Sequence, residues 1–65
     1  MIATRVFHPN GDQTTIVEVD NLHPGYNFDC FTWNKIGYGV HDFIATSLPN
    51  AIDKAHQVPR KERRP

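Results

Sequence analysis

Tyr26-Asn27-Phe28-Asp29-Cys30-Phe31-Thr32-Trp33 is the stretch that decides the fold. Eight residues this rich in aromatic and β-forming side chains read as a strand. A period of two puts Tyr26, Phe28 and Cys30 on one face and Asp29, Phe31 and Trp33 on the other. Both faces are partly apolar. Either the strand is covered on both sides, or a bulge near Cys30 reverses the pattern.

Towards the N-terminus, residues 20–25 form a break, with Pro24-Gly25 suited to the centre of a type II turn. Before it, Thr15, Val17 and Val19 alternate with Thr14, Ile16, Glu18 and Asp20. Earlier still, Ile2, Thr4 and Val6 alternate with Ala3, Arg5 and Phe7, and Pro9-Asn10-Gly11-Asp12 links the two runs as a turn. A four-residue loop at 9–12 sets Val6 opposite Thr15, Thr4 opposite Val17 and Ile2 opposite Val19. That register collects the apolar side chains on one face and leaves Arg5, Glu18 and Asp20 to solvent.

Towards the C-terminus, Asn34-Lys35-Ile36-Gly37 is a turn and residues 38–46 form a fourth strand. A helix follows. Ser47 is its N-cap, and Pro49 lies in the first turn, where a missing N–H is harmless. Leu48, Ala51, Ile52 and Ala55 form an i, i+3, i+4, i+7 stripe. Lys54 and His56 suit the negative pole of the helix, and Pro59 stops it. The sequence thus predicts an α+β fold: a small four-stranded antiparallel meander with one C-terminal helix, ββββα. Residues 1–58 make one domain, and residues 59–65 make a basic, disordered tail.

Sixty-five residues bury a small core, and the expected stability is about 3–10 kcal/mol. Small scaffolds usually need a staple. Cys30 is the sole cysteine, so no intrachain disulfide can form, which fits a reducing, cytoplasmic compartment. The first residues do not read as a signal peptide, so none is expected, and no apolar run is long enough for a membrane span. Oligomerisation, as a homodimer, or docking on a larger protein partner is the remaining supplement.

Charge is segregated. Up to Asp53, Arg5 and Lys35 face Asp12, Glu18, Asp20, Asp29, Asp42 and Asp53, a net charge of −4. From Lys54 on, Lys54, Arg60, Lys61, Arg63 and Arg64 face Glu62, a net charge of +4.

Four chemistries can be weighed against this frame. His8, His23, Cys30, His41 and His56 are all widely spaced, without the short ligand pairs of structural zinc sites, so no metal or other cofactor is expected. A loop at 34–37 would set Trp33 opposite Tyr38, Phe31 opposite Val40 and Cys30 opposite His41, near enough for an imidazole to polarise a thiol. A one-residue slip would bring Asp42 or Val40 opposite Cys30 instead. A buried, inert thiol is the simpler reading, and no catalytic residue is assigned. The same loop opposes Asp29 and Asp42, a like-charge pair that a cation, a basic partner residue or a slipped register would relieve.

Nucleic acid is the third possibility, through the tail residues Arg60, Lys61, Arg63 and Arg64 and exposed aromatics. The ββββα order resembles, in topology alone, the sheet-plus-helix units of some single-stranded-DNA-binding transcription cofactors. Such sheets need basic residues beside their aromatics, whereas this one has Arg5 and Lys35 among six acids. The fourth reading is the one adopted: a non-enzymatic binding or regulatory protein acting on a protein partner. Asp29, Trp33, Tyr38 and Asp42 are its candidate contacts, aromatic anchors with charge around them. An inhibitor-like accessory factor of phage or mobile-element type, acting on a host nucleic-acid enzyme, suits the size and composition.

Overall fold

The computed structural model describes residues 1–58; the tail residues Arg60, Lys61, Arg63 and Arg64 lie outside the described residues. Four strands, β1 (Ile2–Phe7), β2 (Gln13–His23), β3 (Tyr26–Trp33) and β4 (Gly39–Ala45), precede α1 (Leu48–Gln57). The strands form one antiparallel sheet in the order β1-β2-β3-β4. This is the expected ββββα meander.

Local chemistry builds each connection. The β1–β2 and β3–β4 loops have the same design. His8 N–H donates to Asp12 O and Gly11 N–H to His8 O, both at 2.9 Å. Asn34 N–H donates to Tyr38 O at 2.9 Å and Gly37 N–H to Asn34 O at 3.2 Å. In each, the fourth residue is a glycine in the left-handed region, Gly11 at φ +93° and Gly37 at φ +94°. That is a three-residue loop closed by a bulged glycine, a conformation other residues resist. Asn side chains complete both: Asn10 Oδ1 accepts from Asp12 N–H, and Asn34 Oδ1 accepts from Ile36 and Tyr38 N–H. Between β2 and β3, His23 pairs with Tyr26 across Pro24-Gly25, with Gly25 at φ +80°, as a type II turn requires.

These loops correct the expected registers. Loop 9–11 replaces 9–12, so Val6 pairs with Thr14 rather than Thr15, and Thr4 with Ile16 rather than Val17. An extra residue, Ala3, then shifts β1, and Ile2 pairs with Val17. Loop 35–37 replaces 34–37, so Trp33 pairs with Gly39 and Phe31 with His41. The bulge expected near Cys30 does not lie in β3, which keeps its alternation: the extra residue is Asp42 of β4, and Cys30 pairs with Phe43.

The helix covers one face of the sheet and touches all four strands. Ser47 Oγ accepts from Asn50 N–H at 3.2 Å, so the N-cap acts as expected. Ala51 and Ala55 bury fully against Val6, Ile16, Cys30 and Ala45, with Phe28, Phe43, Leu48 and Ile52 packed around them. Among the described residues, half of the six buried apolar side chains are alanines, so α1 lies close to the sheet and little volume is enclosed. Fully burying an aliphatic side chain such as Ile16 contributes about 1.5–3 kcal/mol. Lys54 lies over the Phe43 ring, 5.8 Å from its centroid, and donates to Ile44 O.

Candidate functional site

The second face of the sheet is uncovered by any described residue. Three transverse rows follow from the strand pairings. Ile2, Val17, Asp29 and Ile44 make the first, Arg5, Thr15, Phe31 and His41 the second, and Phe7, Gln13, Trp33 and Gly39 the third. Across β1 to β3, Ile2, Arg5, Gln13, Thr15, Val17, Phe31 and Trp33 line a shallow trough of about 470 Å³. Water reaches much of this apolar surface: Phe7 is 74 % exposed, Ile2 49 % and Trp33 39 %. Monomeric proteins seldom leave a contiguous apolar surface uncovered unless it binds something.

Trp33 owes its position to a glycine. A Cβ on Gly39 would fall 2.4 Å from the indole Cε3, so the ring lies flat over the bare backbone of the edge strand. An aromatic ring covering a cross-strand glycine shields backbone that would otherwise be wet. Beside it, His41 Nε2 lies 2.5 Å from Asp29 Oδ1, and the imidazole meets the Phe31 ring edge-on with centroids 5.4 Å apart. His41 is half exposed while Asp29 is mostly covered. The face therefore carries a cation, Arg5, at its β1 margin, a carboxylate–imidazole pair towards β4, and an apolar centre.

Asp42 belongs to the other side. A polar line crosses the helix-covered face at right angles to the strands. Thr32 Oγ1 donates to Asp42 Oδ2 at 2.5 Å, Thr14 and Thr32 hydroxyls meet at 2.8 Å, and His8 Nε2 meets Thr14 Oγ1 at 2.6 Å. Thr14 is fully buried and His8 and Thr32 nearly so. Protons can be counted along this line. The Thr32 hydrogen goes to the carboxylate, so Thr14 donates to Thr32, and His8 must donate to Thr14. His8 is thus held with its proton on Nε2. On the helix side of the line, His8 also meets the His56 ring at 6.4 Å.

Cys30 is fully buried on the helix side, whereas His41 faces the opposite way beside Phe31. This overturns the Cys30–His41 pairing: the register brings Phe43, not His41, opposite the thiol. Burial pushes the Cys30 thiol up to about 11, with the Asp29 and Asp42 carboxylates adding to the shift and Lys54 opposing it. Such a thiol is a poor nucleophile at neutral pH. The Asp29–Asp42 opposition is overturned as well, because Asp29 pairs with Ile44 and the bulge turns Asp42 to Thr32.

Of the four expected contacts, Asp29 and Trp33 share the open face. Tyr38 stands 73 % exposed in the β3–β4 loop, and Asp42 lies on the far side. Ile2, Arg5, Val17 and Phe31 complete the face. Their signal in the sequence was the double apolar character of the Tyr26–Trp33 stretch, which requires something to happen on both sides. Among the described residues no three His, Cys, Asp or Glu side chains converge as metal ligands, and no helix is long and apolar enough to cross a membrane. Comparison of the chain with protein-family models, with curated proteins and with solved structures finds no match.

Proposed function

We propose that this protein is a small non-enzymatic binding protein that acts by docking the open face of its sheet on a protein surface. One observation carries the reading: Ile2, Val17, Phe31 and Trp33 form one continuous apolar surface on the face the helix leaves bare. Trp33 and Phe31 are rigid anchors of the kind that dominate binding energy, and Arg5, Gln13 and His41 supply a polar rim around them. The trough is shallow and broad, a shape better matched to a protein surface than to a deeply enclosed small molecule. Charge adds direction. Among the described residues up to Asp53 the balance is acidic, so a basic target would be approached faster, and the rate would fall with salt.

The test is capture of binding proteins at about 150 mM salt, where long-range steering is largely screened. The full chain and its Phe31→Lys variant are compared, with folding of the variant checked by circular dichroism. Proteins retained by the native chain and lost by the folded variant are the expected result. Equal retention by both, with self-association also unchanged in the variant, would rule the open face out.

A further inference from the structure

We infer that the occupant of the open face is a second copy of this chain, in a face-to-face pair with two-fold symmetry. This rests on the face being a protein-docking surface and names its partner. Three observations carry it.

The first is the distribution of charge. The described body is acidic overall, yet the three rows of the open face contain a single cation, Arg5, and a single carboxylate, Asp29. Asp42 faces the helix side, Asp12 lies in the first loop and Asp53 is on α1. The open face alone can therefore approach a copy of itself without meeting a surplus of like charge.

The second is where the two charges stand. Arg5 is on edge strand β1, and Asp29 is tied to His41 of edge strand β4, with Thr15, Val17 and Phe31 between them. A two-fold axis running along the strands, midway between β2 and β3, lays β1 over β4 of the second copy. Each Arg5 then stands over the Asp29–His41 pair of the other chain, and the apolar centres meet. An isologous contact needs this self-complementarity, and aligned sheet packing supplies the geometry.

The third is the condition of the edges. Both edge strands carry a bulge, Ala3 in β1 and Asp42 in β4. Bulged edges resist adding a strand from another chain, which leaves the face as the route to association.

Sedimentation equilibrium of the full chain at low salt is expected to show monomers and dimers with a Kd on the order of 10 μM, as suits a small interface. Arg5→Glu and Asp29→Arg are each expected to weaken association about tenfold or more, because each opposes like charges at both margins. An equimolar mixture of the two is expected to restore it, since opposite charges again face one another. A native chain that stays monomeric to about 0.5 mM, or a mixture that associates no better than either variant alone, would overturn the inference. As a check independent of the variants, amide shifts on dilution are expected at Thr15, Phe31 and His41. Shifts confined to α1 or to the edges would overturn it equally. A monomeric chain whose Phe31→Lys variant still loses captured proteins would refute the pairing alone; loss of neither would refute the docking face itself.

Discussion

Thr32 donates to Asp42 at the point where β4 bulges, and this bond turns the Asp42 carboxylate to the side of the sheet away from Asp29. It also ends the transverse line that begins at His8. Removing the middle of the line exposes what it contributes. Thr32→Val takes one hydrogen-bond partner from the half-buried Asp42 and one from the fully buried Thr14. The expected loss is about 1–3 kcal/mol of stability, read as a lower urea midpoint. Thr32→Ser keeps the hydroxyl and is expected to lose less than half as much. The proton count gives a second readout: the ¹⁵N resonances of His8 are expected to report the Nε2–H form in the native chain.

The buried thiol makes stability depend on alkaline pH. The ordinary thiol value of 9.0 rises to about 11 in the folded chain. An unfolded chain therefore loses this proton first as pH climbs. The folded state is favoured fully below pH 9, and the advantage disappears between about 9 and 11, amounting to about 2–3 kcal/mol. Denaturant unfolding across that window is expected to show the decline, and Cys30→Ala is expected to flatten it. Native Cys30 is also expected to alkylate only as fast as the chain opens.

Gly39 tests the seat of the tryptophan. Gly39→Val places side-chain atoms where the Trp33 ring now lies. The expected result is a displaced, more exposed indole, seen as a red-shifted emission and stronger acrylamide quenching, with weaker docking. An unchanged spectrum would show that the ring does not need the bare backbone.

Ser47→Ala removes the only side-chain cap at the start of α1 among the described contacts. The expected cost is about 1 kcal/mol, and the Ser47→Asp variant is expected to retain most of the stability. Circular dichroism during thermal unfolding reads both.

Sequence patterns carried the elements more reliably than their alignment. The helix was legible because its signals are local: a capping serine, a proline in the first turn and a stripe at helical spacing. The two faces of Tyr26–Trp33 were legible for the same reason. The alignments of β1 with β2 and of β3 with β4 were each off by one beside the loop and by two beyond the bulge. Thr14, Thr15, Ile16 and Val17 are all β-branched, so alternation along β2 does not say which face is inward. Both loops close one residue tighter than expected, through glycines whose left-handed backbone composition does not reveal. The bulges at Ala3 and Asp42 leave no mark in the pattern at all. Asp29, Trp33 and His41 could each be noticed as residues, but their assembly on one face depends on the corrected pairing.

That ambiguity gives the line from His8 to Asp42 a role in choosing among near misses. Sliding one strand by a single residue would keep much of the hydrophobic burial, because aliphatic and threonine side chains stand on both sides of β2. It would also break the bonds that join His8, Thr14, Thr32 and Asp42. Misaligned hairpins thus lose these four side chains' mutual bonds in addition to hydrophobic contact. The line is expected to act as a proofreading device for folding, so that a chain with Thr32→Val populates misaligned sheets on refolding before it fails to fold.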